Sequence, residues 1–240
     1  MIAVADYGVG NLASVKKAFA AIGAEAELVA DPDALVRADA IVLPGVGNFG
    51  HCAREFRRRG LDAPLREAHQ RDVPILGICV GMQLLFEGSE EDEGADGLGF
   101  FRGPVTKMRG TPRLPQIGWN SVRLRGRHPW LREVDDGDHF YFVHSFVPEA
   151  QGDIVLGTVE YGGERVAIAG NENVLGVQFH PEKSGANGLR LLRAFADSVD
   201  GGSLGGGASR DAADGGSSGG RASPDPADGG SSGGGAPRTW

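Results

Sequence analysis

Residues 74–85 read PILGICVGMQLL, and this stretch decides how the rest of the chain is interpreted. An apolar run typical of a buried strand leads into Gly77-Ile78-Cys79-Val80-Gly81, and a segment of helical spacing follows. The G-x-nucleophile-x-G pattern is typical of a nucleophile elbow, a strained turn from strand to helix that exposes a reactive side chain. The stretch therefore predicts an α/β fold with the thiol of Cys79 at the carboxyl end of a central strand.

Cys79 has two interpretations on this stretch alone. Most free cysteines are small buried core residues. At the start of a helix, however, the peptide dipoles favour the thiolate, which an ordinary thiol forms only to a few per cent at neutral pH. The other of the two cysteines, Cys52, lies in a helical segment without such a context and is predicted to be structural. The pair matches neither a disulfide framework nor a zinc pattern, so the interest of Cys79 is chemical.

Strand and helix signals alternate around the elbow. Short apolar strands are predicted at 2–6, 26–29, 40–44 and 73–78. A helical segment lies between the last two of these strands, at 51–72, and another, VGMQLLFEG, follows Cys79. This alternation predicts a three-layer, flavodoxin-like α/β fold with a mostly parallel central sheet.

The second half of the chain has a different texture. Residues 97–170 contain short, turn-separated β segments, which predict a mixed or antiparallel extension of the sheet. A last buried strand is predicted over 174–180, and a final amphipathic helix runs to Val199. The globular domain is therefore expected to span 1–199.

Residues 200–240 form a tail rich in glycine, serine and aspartate, in which ADGGSSGG occurs twice. Such a segment has too few apolar residues to offset its ordering entropy and is predicted to be disordered. It is either a solvated linker or a docking segment that ends in Trp240.

Charge and hydropathy limit the possible partners and compartments. A net charge of −8 provides no large positive field for nucleic acid or anionic lipid. No apolar run approaches the roughly 18 residues that span a bilayer, and Met1 leads into IAVADYG without a basic leader. A soluble, cytoplasmic protein that binds neither nucleic acid nor membrane is expected.

A cysteine hydrolase needs a base, and one of the six histidines is well placed to act as one. His180 alone follows an apolar strand, and it is followed by Pro181 and Glu182. Glu182 can orient the imidazole of His180 and stabilise its charged form. The alternative for an isolated HPE sequence is a solvated turn.

The same chemistry needs hydrogen-bond donors for an oxyanion. The loop around Gly45, Val46 and Gly47 follows the predicted strand 40–44, and its backbone amides can form an anion nest. The amide of Val80, directly after the nucleophile, is the other natural donor. A bare PGVG sequence is otherwise an ordinary turn.

With these pieces in order, the sequence resembles the class I, triad-type glutamine amidotransferases. Within that family it is similar to the glutaminase subunits of imidazole glycerol phosphate synthase. The stretches that carry the resemblance are DYGVGN at 6–11, LPGVGNFG at 43–50, GICVGMQLLFEGSEE at 77–91, PQIGWN at 115–120, YFVHSF at 141–146 and GVQFHPEKSG at 176–185.

The resemblance implies a class I glutamine amidotransferase fold and a glutaminase that needs no metal or cofactor. Cys79 would form a glutamyl thioester, His180 would protonate the leaving ammonia, and Glu182 would orient His180. The positions matched to glutamine binding are Gly47, Gln83, His144 and Ser145.

The resemblance also implies a partner. Ammonia would pass to a separate, barrel-shaped cyclase subunit in a heterodimer, which makes imidazole glycerol phosphate and AICAR in histidine biosynthesis. Asn11, Trp119 and Lys183 match positions at that interface, although a tryptophan in a short IGWN loop is also compatible with a core position. A peptide flip at Val46 would switch the glutaminase on.

Two other readings remain open from the sequence. One is a class I glutaminase that serves a different synthase, such as that of anthranilate or pyridoxal phosphate synthesis. The other is a degenerate domain retained for binding, although Cys79, His180 and Glu182 are all present.

Overall fold

The computed structural model describes residues 1–200, and the predicted tail lies outside the described residues apart from its first residue. Its α-helices are α1 (Leu12–Ala21), α2 (Pro32–Val36), α3 (Phe49–Arg58), α4 (Asp62–Gln70), α5 (Val80–Leu84) and α6 (Gly185–Asp200). Its strands are β1 (Ile2–Ala5), β2 (Ala26–Val29), β3 (Ala40–Gly45), β4 (Ile75–Cys79), β5 (Gly88–Ser89), β6 (Pro104–Lys107), β7 (Gln116–Leu124), β8 (His139–His144), β9 (Phe146–Pro148), β10 (Val155–Glu160), β11 (Glu164–Gly170) and β12 (Val174–Val177).

Nine of the strands form one sheet in the order β2-β1-β3-β4-β12-β11-β10-β7-β8. The first five are parallel, and their order is that of a flavodoxin-like sheet. All four buried residues of β1 are apolar, as expected for a strand covered on both faces. The carboxyl ends of β3, β4 and β12 therefore meet at one edge of the sheet.

Helices cover the parallel half on both faces. Because the chain moves from β1 to β2 in one direction and from β3 to β4 in the other, right-handed crossovers place α1 on one face and α3 and α4 on the other. α6 packs against α1, whereas α2 packs against α4. The result is the predicted three-layer α/β arrangement.

The remaining strands β11, β10, β7 and β8 pair in antiparallel fashion, so the predicted extension of the sheet is confirmed. A separate small sheet contains β5, β6 and β9. The IGWN sequence lies inside β7, not in a short loop as predicted, and pairs there with β8. Trp119 consequently stands on a strand face and not on a loop.

Several predicted bounds change. The helical region 51–72 is two helices, because Gly60 adopts a φ of +71° between α3 and α4. The helix after Cys79 contains only residues 80–84, and the last strand of the sheet ends at Val177. His180 therefore lies three residues beyond its strand, in the turn that leads to α6. Within residues 1–200, no helix has the length and apolar character needed to cross a membrane.

Candidate active site

Cys79 is the last residue of β4 and adopts a φ of +55°, the conformation predicted for a nucleophile elbow. Few residues other than glycine tolerate this region, so the turn is strained. The flanking glycines make it possible: a Cβ on Gly81 would lie 1.8 Å from the carbonyl oxygen of Leu43, and one on Gly77 would lie 2.9 Å from that of Gly81. The elbow is thus packed directly against β3.

His180 and Glu182 form a buried pair beside the elbow. The imidazole Nδ1 of His180 is 2.8 Å from Oε1 of Glu182, and both side chains are almost fully buried. Asn11 Nδ2 donates to the same carboxylate oxygen over 3.4 Å. Among residues 1–200, Nε2 of His180 has no hydrogen-bond partner, which leaves it available to a reacting group.

The charge state of His180 follows from its neighbours. Burial lowers the pKa of the imidazole, but the Cys79 thiolate and the Glu182 carboxylate together outweigh burial and raise that pKa to about 10. The imidazole of His180 is therefore charged at neutral pH. With its free Nε2, it can donate a proton to a group that reacts at Cys79.

A cavity of about 570 Å³ opens over the thiol at the carboxyl edge of the sheet. It contains most of the residues that the sequence singled out: Asn11, Val46, Gly47, Cys79, Val80, Gln83, His144, Ser145, His180 and Lys183. Glu182 lies behind His180, Gly45 belongs to β3 beneath the cavity, and Trp119 is outside the lining. The structure thus places most of the predicted site residues around one cavity.

The predicted oxyanion loop starts inside β3. Gly45 has no room for a side chain, because a Cβ would lie 2.7 Å from the amide nitrogen of Gly81. The carbonyl oxygen of Val46 accepts a hydrogen bond from Cys52 Sγ over 3.3 Å. Burial raises the pKa of the Cys52 thiol to about 11, and this residue does not line the cavity. Cys52 therefore supports the loop as a neutral thiol.

His144 and Gln83 both bond to the carbonyl oxygen of Phe146. His144 Nδ1 lies 2.8 Å and Gln83 Nε2 lies 3.0 Å from this oxygen. A carbonyl oxygen only accepts, so Nδ1 of His144 carries the proton. Burial lowers the pKa of His144 to about 4, so this ring is neutral and is not a second catalytic acid.

Two residues of the site escaped the sequence analysis. Gln178 is fully buried and its Nε2 lies 3.8 Å from Cys79 Sγ. Glu91 lines the cavity, and its carboxylate accepts from the backbone amide of Phe49 over 2.8 Å. A glutamine in the otherwise apolar strand VLGVQF was a usable signal for Gln178, whereas Glu91 in an acidic run gave none.

Beside the cavity lies an aromatic surface that includes Trp119 and Lys183, two of the predicted interface residues. Trp119 is 53% exposed and Ile117 is 62% exposed on the same strand. The indole of Trp119 meets the ring of Tyr141 edge-on at 6.2 Å, and Lys183 Nζ lies 5.9 Å from the centre of the Tyr141 ring. Lys183 connects this surface with the cavity, since it also lines the cavity, as does Asn11.

The fold and the site together define a class of protein. A doubly wound sheet carries a cysteine elbow, and a histidine and glutamate pair stands at the same carboxyl edge; this is the arrangement of a triad-type cysteine amidohydrolase. Solved structures with this fold include one described as a glutamine amidotransferase, with a TM-score of 0.67 and 20% identity over 83% of this chain and 100% of the other. PurLQS from Thermotoga maritima has a TM-score of 0.65 at 22% identity, over 82% of this chain and 98% of the other.

Sequence comparison narrows the class to a family. The family model "Glutamine amidotransferase class-I" matches residues 3–199. Imidazole glycerol phosphate synthase subunit HisH of Salinibacter ruber is 46% identical, over 82% of this chain and 94% of its own. Subunit HisH of Thermococcus kodakarensis is 47% identical, over 81% and 98%. The chain belongs to the class I glutamine amidotransferase family, in its group of HisH subunits.

Proposed function

We propose that this chain hydrolyses glutamine to glutamate and ammonia and delivers the ammonia to a cyclase subunit in histidine biosynthesis. The observation that carries the proposal is the position of the Cys79 thiol. It lies on a strained backbone turn at the floor of a cavity, beside the buried His180 and Glu182 pair. The similarity to HisH subunits supports the choice of pathway. The proposal places the reaction in the cytoplasm.

In the first half of the reaction, the Cys79 thiolate attacks the carboxamide carbon of glutamine. The negative charge that develops on the carboxamide oxygen is stabilised by the amide of Val80 and by an amide of the loop that contains Gly45, Val46 and Gly47. The carbon–nitrogen bond then breaks as His180 Nε2 gives its proton to the leaving nitrogen. Ammonia and a glutamyl thioester on Cys79 result.

In the second half, water replaces the ammonia. His180, now neutral, takes a proton from the water as its oxygen attacks the thioester carbon. The carbon–sulfur bond breaks, which releases glutamate and returns the thiolate and imidazolium pair. Glu182 keeps Nδ1 of His180 protonated through both steps, so that Nε2 is the nitrogen that exchanges the proton.

The cavity contains groups that suit the rest of the substrate. Glu91 supplies a carboxylate for the α-ammonium group of glutamine. The amide nitrogen of Gln83 donates one hydrogen bond to Phe146 and one to Gln178. Its carbonyl oxygen is therefore the group that remains for the substrate. Gly47 and the backbone at His144 and Ser145 complete the glutamine site in this proposal.

The partner is a barrel-shaped cyclase subunit in a heterodimer, and Asn11, Trp119 and Lys183 contact it. The bond from Asn11 to Glu182 gives this surface a direct connection with the triad. A flip of the peptide at Val46 adds an oxyanion donor when the cyclase binds its own substrate. A missing donor of this type costs about 10²- to 10³-fold in rate, enough to keep the isolated chain nearly silent.

Glutamate formation measured with and without the matching cyclase subunit and its nucleotide substrate tests the proposal. We expect the complete mixture to be at least about 100-fold faster than the isolated chain. Equal rates would refute the Val46 switch. Stimulation by the synthase of another pathway, with none by the cyclase, would identify a different class I glutaminase.

Replacement of the nucleophile distinguishes an enzyme from a binding domain. Cys79→Ala is expected to lower glutamate formation by at least about 10³-fold, because no thioester can form. Cys52→Ser is the matched control, since it removes the other cysteine and keeps a donor for the Val46 carbonyl. A Cys79→Ala protein as active as the parent would show a degenerate domain that owes its apparent activity to something else.

A further inference from the structure

Gln178 lies beside the proposed nucleophile, Cys79, at the carboxyl edge of the sheet. Val177 of β12 pairs with Ile78 of β4, so the next residues along these parallel strands, Gln178 and Cys79, are neighbours. The backbone amide of Gln178 donates to the carbonyl of Ala167 over 2.9 Å, which fixes its position. Its side chain is fully buried, and its Nε2 lies 3.8 Å from Cys79 Sγ.

The direction of this contact is set two residues away. The carbonyl oxygen of Phe146 can only accept, so the group of Gln83 that faces it must be the amide nitrogen. The same nitrogen lies 3.2 Å from Gln178, which must therefore present its carbonyl oxygen to Gln83. This leaves the amide nitrogen of Gln178 facing sulfur. The carbonyl oxygen of Phe146 thus determines that Cys79 Sγ faces the amide nitrogen of Gln178, a donor, and not its carbonyl oxygen.

A buried donor beside sulfur has a specific chemical consequence. A thiolate accepts a hydrogen bond from an amide more strongly than a neutral thiol does, because charge-assisted hydrogen bonds are about twice as strong as neutral ones. Because Gln178 is fully buried, water does not compete for its amide group, and the difference is preserved. The contact therefore favours the charged, nucleophilic form over the neutral thiol.

We propose that Gln178 is a further catalytic residue, whose side-chain amide holds the Cys79 thiolate in place and whose orientation is fixed by Gln83 and the Phe146 carbonyl. The assignment rests on the proposed role of Cys79 as the nucleophile. It also joins the glutamine site to the nucleophile, because Gln83 lines the cavity and bonds to Gln178. His180 then acts as the acid, and Gln178 acts as a fixed donor that does not exchange protons.

The experiment measures the reactivity of Cys79 without glutamine turnover. The purified chain is treated with iodoacetamide between pH 5 and pH 10, and alkylation of Cys79 is followed by mass spectrometry of its peptide. Gln178→Met keeps the length of the side chain and removes the donor. We expect the pH midpoint of alkylation to move upward by about one unit, the size of one charge-assisted hydrogen bond.

Gln116→Met is the matched control, because Gln116 is an equally buried glutamine whose amide bonds to Asn120 and not to sulfur. Its midpoint should equal that of the parent. Gln178→Glu is the second variant if Gln178→Met does not fold; its carboxylate can only accept when charged, so its midpoint should also move upward. Parental midpoints in the folded Gln178 variants would overturn the proposal.

Turnover separates this proposal from the glutaminase proposal. With the cyclase present and at a pH below both alkylation midpoints, Gln178→Met should lower kcat/KM for glutamine by about tenfold, because the thiolate fraction there falls tenfold for each unit of midpoint. A shifted midpoint in a chain that hydrolyses no glutamine would refute the glutaminase and support the donor role of Gln178. Normal turnover together with a parental midpoint in Gln178→Met would refute the donor role of Gln178 and support the glutaminase.

Discussion

The imidazole of His180 is held in its charged form by groups on two sides. Glu182 accepts from Nδ1 over 2.8 Å, and Cys79 provides the second negative charge. Because the whole group is buried, these interactions are screened little by water or salt. The cost is a site whose protonation in the folded state differs strongly from that in the unfolded chain.

This difference predicts a pH-dependent stability. The pKa of His180 rises from about 6.5 to about 10 on folding, so the folded state binds this proton more tightly. The resulting stabilisation is fully present below pH 6.5 and is lost as the pH rises towards 10. We expect the free energy of unfolding, measured with urea, to fall across this range, and to fall less in His180→Asn.

His51→Asn is the control for this measurement, because His51 is exposed on α3 and does not line the cavity. Its pH dependence should match that of the parent. Parallel curves for the parent and His180→Asn would contradict the charged state of His180.

The residues that the sequence predicted and those that it missed differ in a physical way. Cys79, His180 and Glu182 could be predicted as one cluster because a strained turn and a strand end leave short local signatures. The donor role of Gln178 and the protonated nitrogen of His144 depend on the carbonyl of Phe146. That carbonyl is distant in sequence from Gln178, so only three-dimensional packing reveals the hydrogen-bond direction.

At the level of elements, the contact between β3 and the elbow holds the site together. The glycines at 45 and 81 remove side chains where the two segments meet, and β3 pairs with β4 up to Gly45 and Cys79. The oxyanion loop begins where β3 ends, directly beside the nucleophile. The distance between the proposed nucleophile and the proposed oxyanion donors is therefore set by strand pairing and not by the loop alone.

Gly81→Ala tests this contact. The added Cβ would lie 1.8 Å from the carbonyl oxygen of Leu43, which forces a backbone shift. We expect a loss of about 3 kcal/mol in the free energy of unfolding, at the upper end for overpacked positions. Gly94→Ala is the control, since the atom nearest to its added Cβ lies 3.8 Å away, and it should change stability by less than about 0.5 kcal/mol. Equal stabilities would show that the elbow does not depend on close contact with β3.

The sequence predicted the order of elements well in the parallel half and less well elsewhere. Buried parallel strands read as continuous apolar runs, and glycine or proline ends them, so β1 to β4 were visible. In β7, burial changes from residue to residue, and the glycine and tryptophan of IGWN resembled a loop. Pairing with β8, a non-local interaction, determines that IGWN is a strand.

At the scale of the whole molecule as described over residues 1–200, an exposed aromatic surface lies next to the cavity mouth. Trp119 and Ile117 project from β7, and Tyr141 and Lys183 adjoin them. Large side chains at this level of exposure are typical of the centre of a protein interface, where tryptophan contributes most. Since Lys183 also lines the cavity, ammonia produced at Cys79 would leave the cavity close to the bound partner.

Trp119→Ala is expected to weaken the complex with the cyclase subunit without disturbing the fold. Because the indole is already 53% exposed, its removal leaves no buried cavity in the isolated chain. Loss of a central tryptophan costs about 2 kcal/mol, so the Kd measured by calorimetry should rise about 30-fold. Leu28→Ala removes a side chain that is 41% exposed on β2, at the opposite edge of the sheet, and should leave the Kd unchanged. If both variants bound like the parent, the partner would have to dock elsewhere, and the exit of ammonia beside this surface would lose its support.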